Sequence, residues 1–319
     1  MPMTQSRPLR VLTWHVHGNY LYYLTQVPHE FHVVTRPGRP AGYAGRAGVL
    51  PWGANVHEVD ANDVAARDFD VIVYQHRDHW EQDRFALLSD AQRHLPRIYI
   101  EHDPPQEAPF AQRHWVDDRD ALLVHVTPFN ALMWDSGDTP VRVIEHGVLV
   151  PERARYSGEI ARGIVVVNHL RTRGRRLGAD VFENARRIVP LDLVGMDAES
   201  VSGIGEISNL ALPEFMSHYR FFFNPIRWTS LGLAVVEAMT VGLPVVGLAT
   251  TELSSVIRDG ENGYIDTRID RLIARMGALI ADPVLARRLG DGARATARQR
   301  FSIGRFAHDW DLALRDVAT

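Results

Sequence analysis

Gly232 and Glu237 lie five residues apart in an apolar stretch, SLGLAVVEAM, whose pattern predicts a helix. Ser230 is a typical N-cap residue, and Gly242 suits the position just after a helix. Pro244 prevents the helix from continuing. The sequence therefore predicts a capped helix with a glycine in its first turn and one carboxylate further along.

The start of this helix has the properties of an anion site. Backbone N–H groups around Leu231, Gly232 and Leu233 would be free, and the helix dipole is positive there. Gly232 has no side chain, so an anion can approach the backbone closely. Glu237 follows about 7 Å along the axis, at a rise of about 1.5 Å per residue. That separation suits a diphosphate at the helix start and ribose hydroxyls at the acid, although most capped helices between buried strands bind nothing.

Two clusters in the first third of the chain follow predicted strands, and ligands of doubly wound sheets bind beyond the carboxyl ends of strands. Gly18 and Asn19 follow the opening strand, where a turn glycine with positive φ is the alternative interpretation. His102 follows another strand, and its ring can donate a hydrogen bond to a hydroxyl. The pair His15 and His17 lacks a third ligand in register, so we expect no metal site.

A third cluster, which we call the arginine segment, follows the first strand of the second half and covers residues 168–176, NHLRTRGRR. A guanidinium presents a fork of donors that suits a diphosphate. We expect Arg171 to bind the phosphates together with Arg175 or Arg176, with Arg173 as a further candidate. A solvated run of surface charge is the alternative interpretation.

These residues resemble the donor-binding block of retaining, nucleotide-sugar-dependent glycosyltransferases (glycosyl transferase group 1, family 4). The elements in register are Gly232-Leu233, Glu237-Ala238-Met239, Gly242-Leu243-Pro244-Val245-Val246 and Asp259-Gly260-Glu261-Asn262-Gly263. The resemblance extends from about Ala121 to the C-terminus. One element departs from the family pattern, because its first acid falls on the uncharged Thr229.

The resemblance implies an α/β protein of GT-B architecture, with two Rossmann-like, doubly wound parallel-sheet domains facing a central cleft. It implies a UDP- or GDP-type sugar donor, an unidentified acceptor (glycan, lipid or small molecule), retention of configuration and no metal or other cofactor. His102 would contact the donor sugar, and Arg171 and Arg175 would stabilise the leaving diphosphate. The remaining donor-binding positions would be Gly18, Asn19, Arg173, Arg176, Thr229, Ser230, Leu231, Gly232, Leu233 and Glu237.

Composition is compatible with this class of enzyme. The chain of 319 residues is 45% hydrophobic and 23% charged, and a chain of this length is expected to form two domains. It has no cysteine and no lysine, which excludes thiolate, disulfide and Schiff-base chemistry. A net charge of −4 argues against a general nucleic-acid-binding surface. No apolar run is long enough for a transmembrane segment and the N-terminus lacks a signal-peptide core, so we expect a cytoplasmic protein.

Short buried strands separated by helices predict two parallel sheets. The expected strands of the first half are residues 9–14, 31–35, 70–74, 97–101, 121–126 and 141–144; those of the second half are residues 163–167, 191–194, 221–223, 245–248 and 264–266. We expect an acceptor-side domain over residues 1–149 and a donor domain over residues 150–301. A helix within residues 302–319 is expected to cross back to the first domain, and residues 37–51 are expected to form a mobile loop.

Other functions remain open from the sequence. A nucleotide-sugar epimerase shares the architecture, and a non-catalytic nucleotide-sugar-binding protein is suggested by Thr229. A pyridoxal-dependent phosphorylase is excluded because the chain has no lysine. A Rossmann dehydrogenase is not favoured, because no G-x-G-x-x-G follows the first strand.

Overall fold

The structure is a computed structural model that describes residues 7–319. The chain forms two compact units. Unit 1 extends to Glu145 and also includes Ile303–Thr319, whereas unit 2 is continuous from His146 to Ser302. In the part of the chain described, no helix is both long and apolar enough to span a membrane.

Unit 1 is built on a seven-stranded sheet in which every adjacent pair is parallel. Its strand order is β3-β2-β1-β4-β5-β6-β7. The strands are β1 Arg10–Thr13, β2 Glu30–Thr35, β3 Val56–Asp60, β4 Val71–Tyr74, β5 Arg97–Glu101, β6 Ala121–His125 and β7 Val141–Val143.

The helices between these strands are short: α1 Gly18–Leu24, α2 Arg84–Ala86 and α3 Pro128–Met133. Two 3₁₀ turns cover Val64–Ala66 and Gln92–His94, and a π-helical turn covers His79–Asp83. The core of the unit includes aromatic residues that meet across the sheet, among them Trp14, Tyr74, Trp80 and Tyr99.

Unit 2 has a five-stranded parallel sheet of order β12-β11-β10-β8-β9. The strands are β8 Ile160–Val166, β9 Leu191–Val194, β10 Tyr219–Asn224, β11 Val245–Leu248 and β12 Gly263–Asp266. The helices are α4 Leu170–Arg173, α5 Ala179–Arg186, α6 Leu212–Ser217, α7 Leu233–Val241, α8 Leu253–Val256, α9 Ile269–Ala281 and α10 Pro283–Arg300. Two 3₁₀ turns cover Gly174–Leu177 and Ala198–Val201.

The last helix, α11 Ile303–Ala318, belongs to unit 1. Its apolar face is fully buried at Phe306, Trp310 and Leu314. His29 lies 3.1 Å from Asp311, and Arg142 donates to Asp316 at 2.8 Å. Burial of the aromatic face and these polar contacts fix the helix within unit 1.

Two parallel-sheet α/β domains were predicted, and the structure confirms them. Each expected strand occurs within a few residues of its predicted position, and β3 was missed. The segment 37–51, expected to be mobile, makes several polar contacts with the rest of unit 1. Arg39 makes two bonds to Glu58 (2.7 and 2.9 Å), Tyr43 donates to Asp83 at 2.6 Å, and His15 Nδ1 lies 2.6 Å from the Gly45 carbonyl oxygen.

Candidate functional site

The arginine segment and the loop before α7 are joined in unit 2, because they follow adjacent strands β8 and β10. The backbone N–H groups of Arg227 and Trp228 both donate to the carbonyl oxygen of Arg176, at 3.0 and 3.2 Å. Gly178 permits this approach, since its φ is +81° and a Cβ there would overlap the Pro225 carbonyl oxygen. The structure thus joins the two loops in which the sequence analysis predicted phosphate-binding residues.

Asp180 organises two of the arginines. It accepts two bonds from Arg227, at 2.6 and 2.8 Å, and one from Arg175 at 2.7 Å. These hydrogen bonds, chiefly those from Arg227, lower the pKa of the Asp180 carboxyl. Arg227 also donates to the Arg175 carbonyl oxygen at 2.7 Å, so its guanidinium is engaged by the protein itself.

Arg176 differs from its neighbours. Its side chain has no hydrogen-bond or ion-pair partner within residues 7–319, although the residue is partly buried. Arg171 makes one long contact, 3.5 Å to the Ser200 carbonyl oxygen. Within the described residues, Arg176 is therefore the arginine of this segment whose guanidinium is least engaged by other protein groups.

The helix starts later than the sequence predicted. Ser230 is not its N-cap: α7 begins at Leu233, and Gly232 is the N-cap, with φ −67° and ψ 141°. The Ser230 hydroxyl is buried and has no hydrogen-bond partner among the described residues. Leu231 is buried, and its carbonyl oxygen accepts a hydrogen bond from His146 Nε2 at 2.8 Å. The hydrogen bond from His146 holds Leu231, just after Ser230, outside the helix, and it overrides the capping preference of serine.

Gly232 is exposed at the start of α7, and a Cβ placed on it would meet no protein atom within 4 Å. Its φ is one that any residue adopts. Neither backbone conformation nor packing requires a glycine here, in contrast to Gly178. The open backbone suits close approach of an anion to the first N–H groups of α7.

Glu237 lies on α7 and is 2% exposed. The surrounding helix is apolar, and Val235, Val236, Ala238 and Met239 are all buried. Thr229 is partly buried in the loop that precedes the helix. The structure therefore places Thr229, Gly232, Leu233 and Glu237 along one loop–helix unit, next to the arginine segment.

His102 belongs to a second group, in unit 1. It follows β5, and its Nε2 lies 3.2 Å from Gln75 Oε1, so this nitrogen carries the proton. The His17 ring centroid is 4.2 Å from that of His102, and Tyr20 meets the His102 ring edge-on at 4.6 Å. Because β1, β4 and β5 are adjacent and parallel in the sheet, His17, Gln75 and His102 meet at the carboxyl ends of these strands.

Gly18 and Asn19 lie at this same end of the sheet, at the start of α1. Gly18 does not have a positive φ, so the alternative interpretation of a left-handed turn glycine is wrong. A Cβ at Gly18 would lie 3.0 Å from His15 Nε2. The small residue leaves room for the His15 ring, which lies edge-on to Trp52 with centroids 5.7 Å apart.

Glu101, directly before His102, is an acid that the sequence analysis did not single out as functional. Burial raises the pKa of its carboxyl to about 8. It accepts from His114 Nε2 at 3.0 Å and from the Asp103 N–H at 2.8 Å. His114 Nδ1 accepts from the Val116 N–H, so the ring is neutral, and burial lowers its pKa to about 3. This pair fixes the end of β5 on which His102 stands.

No cluster of three or more His, Asp or Glu side chains suited to a metal ion occurs between residues 7 and 319. His15 and His17 have other contacts: His15 with the Gly45 carbonyl oxygen, and His17 with the His102 ring.

Comparison with known families gives a match to glycosyl transferases group 1 over residues 181–282. The matched part contains Gly232, Glu237 and the turn at Asp259–Gly263, and it excludes the arginine segment. It covers less than half of the chain. A protein of Klebsiella pneumoniae described as an uncharacterized 41.2 kDa protein in the cps region is 34% identical over 70 residues. That stretch covers 22% of this chain and 20% of the relative.

Solved structures share the fold over nearly the whole chain. The sucrose-phosphate synthase of Thermosynechococcus elongatus gives a TM-score of 0.72 at 15% identity, covering 98% of this chain and 99% of that one. HepE of Anabaena, solved in complex with UDP, gives 0.72 at 15% identity, covering 97% and 100%. A glycosyltransferase of Rickettsia africae gives 0.70 at 10% identity, covering 98% and 99%. The fold is GT-B, and together with the group 1 match it supports a GT-B glycosyltransferase.

Proposed function

We propose that this protein transfers a sugar from a nucleotide-diphosphate sugar to an acceptor, with retention of configuration and without a metal ion. The main-chain bonds from Arg227 and Trp228 to the Arg176 carbonyl oxygen support the proposal most directly, because they tie the arginine segment to the loop that leads into α7. HepE, which shares the fold, has been solved with UDP and with UDP-glucose, so a UDP-type donor is the first to test and a GDP-type donor the second.

The donor diphosphate would lie between the arginine segment and the N–H groups at Gly232 and Leu233. Arg176 supplies a guanidinium fork, and the segment around it carries further positive charge on Arg171, Arg173 and Arg175. Negative charge grows on the diphosphate as the sugar–phosphate bond breaks. Donors fixed around that charge before the reaction stabilise the transition state more than the ground state.

Glu237 would accept hydrogen bonds from the ribose hydroxyls, and His102 would orient the sugar, as the family resemblance implies. The protonated Nε2 of His102 is held by Gln75, which fixes the ring. Thr229 and the buried hydroxyl of Ser230 would contact the donor as neutral groups. The departing phosphate would assist removal of the acceptor proton, in keeping with the mechanism of the family that the sequence resembles.

The thermal midpoint, measured with nucleoside diphosphates and their sugars with and without magnesium, tests the donor site. A ligand that binds only the folded state stabilises it by about 2.7 kcal/mol at a hundredfold excess over its dissociation constant. We expect one nucleotide family to raise the midpoint equally with magnesium and with EDTA. Glu237→Ala and Arg176→Ala should reduce that shift, and Glu237→Gln provides a variant of nearly unchanged volume.

Transfer itself needs a second measurement. Incubation of the stabilising donor with a mixture of acceptors should yield a glycoside whose anomeric configuration, read by NMR coupling constants, equals that of the donor. Binding of a nucleotide without turnover under any acceptor would favour the non-catalytic alternative suggested by Thr229. Absence of any nucleotide-dependent shift would reject the donor site altogether. We also propose a cytoplasmic location, which cell fractionation tests.

A further inference from the structure

Unit 1 contains a cavity of about 550 Å³ that none of the predicted site residues lines. It opens beside the loops that follow β1, β2 and β4. The chain runs from β1 to β2 and β3 on one side of the sheet and then returns to place β4 on the other side of β1, so the strand order reverses at β1. Crevices at such switch points are the usual ligand sites of open parallel sheets. Its volume lies within the range of small-molecule sites.

The π-helical turn at His79–Asp83 forms one wall, and such turns are frequent at functional sites. It brings both of its end residues, His79 and Asp83, to the cavity. Gly42, which also lines the cavity, lies directly against this turn: its φ is +85°, and a Cβ there would lie 2.8 Å from His79 Nε2. The loop after β2 can therefore close against the imidazole only with a glycine at this position.

His79 is 4% exposed, and its ring stacks on Trp14 with centroids 5.0 Å apart. Burial lowers the pKa of His79 to about 3, so the ring is neutral at physiological pH. Its Nδ1 has no hydrogen-bond partner among the described residues. A buried polar atom without a partner is rare in a native protein and calls for an explanation, such as a role in binding.

Asp83 is buried too, yet its charge is matched within the wall. Tyr43 donates to it at 2.6 Å, and Arg36 at 3.3 Å. The Arg36 guanidinium lies over the Tyr43 ring, 4.1 Å from its centroid. The one arginine of the lining is thereby committed to an acid and an aromatic face, which leaves no unmatched cation for an anionic ligand.

The charge of the lining sets the class of ligand. One arginine (Arg36) and two aspartates (Asp78 and Asp83) give a formal charge of −1, with the two histidines left out of the sum. The apolar part of the lining consists of the small residues Val16, Ala41, Gly42 and Ala86 together with the ring of Tyr43, over which the Arg36 guanidinium lies. Such a wall disfavours phosphates and carboxylates and offers no extended surface for an acyl chain. It presents hydrogen-bonding side chains on several sides, as a polyhydroxylated ligand requires.

We propose that this cavity binds a neutral, hydroxyl-rich saccharide. Its role as the acceptor of the transfer rests on the proposed function, whereas saccharide binding itself does not. The class of ligand follows from the charge and the lining of the cavity. The position of the cavity beside the loops that follow β1, β2 and β4 is the usual position of a ligand site in such a sheet.

The test uses the full chain and saturation-transfer NMR titrations of methyl α-glucoside, methyl α-mannoside, methyl β-galactoside and lactose, compared with glucose 6-phosphate and glucuronate. Ala86 lies at the exposed rim, so Ala86→Trp obstructs the cavity without disturbing the core. Ala65→Trp is the matched control, because Ala65 is exposed in the same unit and does not line the cavity. UDP affinity is measured on every sample.

We expect at least one neutral sugar to bind, and Ala86→Trp to weaken it at least tenfold while Ala65→Trp leaves it within twofold. The two anionic sugars should bind at least tenfold more weakly than the best neutral one. Asp78→Asn removes the exposed carboxylate of the lining and should narrow that gap for glucuronate. The UDP affinity should stay unchanged in all three variants.

Equal sugar binding in Ala86→Trp and wild type would overturn the proposal, as would preferred binding of an anionic sugar or the absence of binding by all four neutral sugars. These outcomes are independent of the donor site. If the wild-type protein bound a neutral sugar but not UDP, the proposed function would be rejected, whereas the proposal of a saccharide site in this cavity would be supported.

Discussion

The arginines in and near the arginine segment differ in whether other protein groups already bind their guanidinium groups. Asp180 engages Arg175 and Arg227, whereas Arg176 keeps its guanidinium free of protein partners within the described chain. The sequence identified the run but could not rank its members, because four arginines in six residues look alike until the acid that pairs with some of them is located. Nothing in the sequence indicated that Asp180 would be this acid.

Arg176→Ala should weaken UDP binding roughly 10- to 100-fold, since hydrogen bonds between charged groups contribute about 1.5–3 kcal/mol. Arg176→Lys should recover part of the loss, because one ammonium replaces a fork. Isothermal titration calorimetry measures both affinities. Arg187→Ala is the control: Arg187 is exposed just after α5, outside the site. An equal loss in Arg176→Ala and Arg187→Ala would show that only general charge matters.

Glu101 gives a prediction about pH. Burial raises the pKa of its carboxyl from 4.5 to about 8, so the folded state holds this proton more tightly than the unfolded state. Its contribution to stability is complete below about pH 4.5 and is lost as the pH rises through about 8. Glu101→Gln cannot lose a proton, so its melting temperature relative to wild type should rise between pH 5 and pH 9. Scanning calorimetry at several pH values measures this difference.

A constant difference across the pH range would mean that Glu101 is already ionised at pH 5 through its bonds to His114 and Asp103. Glu58→Gln is a useful contrast. Arg39 lowers the pKa of the Glu58 carboxyl from 4.5 to about 2, so the stability that this carboxyl contributes is complete above about pH 4.5 and is lost as the pH falls through about 2. Glu58→Gln should therefore lose stability relative to wild type as the pH rises from about 2 to about 4.5, opposite in sign to Glu101→Gln.

Among the elements, strands were predicted better than helix ends. Most strands are runs of consecutive buried residues, such as β4 and β5, and their sequences show it directly. β3 was missed because VHEVD buries only Val56 and Val59, as an edge strand does. The start of α7 was misplaced because local preference favoured Ser230, whereas a hydrogen bond from His146 to Leu231 holds that region extended. Contacts between residues 85 positions apart leave no local pattern.

The open start of α7 predicts separable effects on folding and binding. Gly232→Ala should leave the melting temperature nearly unchanged, because the new methyl group meets no protein atom and φ is ordinary. UDP binding should weaken at least tenfold, because the methyl group occupies the path of the anion to the backbone. Gly277→Ala serves as control, since its Cβ is equally unobstructed on α9. Unchanged UDP affinity in Gly232→Ala would place the diphosphate elsewhere.

Gly174, in the arginine segment, and Gly178, just after it, distinguish the cost of backbone conformation from the cost of a steric overlap. Gly174 and Gly178 both have positive φ, +55° and +81°, but only a Cβ at 178 would overlap the Pro225 carbonyl oxygen. Gly174→Ala should cost about 1–3 kcal/mol of backbone strain, because φ +55° with ψ −136° is a conformation that residues with a Cβ rarely adopt. Gly178→Ala should cost clearly more, because the loops after β8 and β10 must move apart. Urea denaturation of the two variants compares these free energies, and equal costs would contradict the close approach.

At the scale of the whole molecule, α11 belongs to unit 1 although it follows unit 2 in the chain. Trp310→Ala should destabilise unit 1 by about 3–5 kcal/mol, the usual cost of deleting a buried large aromatic side chain. Leu312→Ala, on the same helix but 45% exposed, should cost little. Two-transition calorimetry with and without UDP shows which unit is affected. If Trp310→Ala lowered only the midpoint of the UDP-sensitive transition, the assignment of α11 to unit 1 would be wrong.

The discontinuity of unit 1 also bears on the order of synthesis. Domains generally fold one after another, from the N-terminus, as the nascent chain leaves the ribosome. Unit 2 is continuous and can fold once Ser302 has emerged, whereas unit 1, although most of it is translated earlier, lacks α11 and its apolar residues Phe306, Trp310 and Leu314 until the segment after Ser302 has been made. The nascent unit 1 therefore keeps the apolar surface that α11 contacts uncovered while unit 2 is being made.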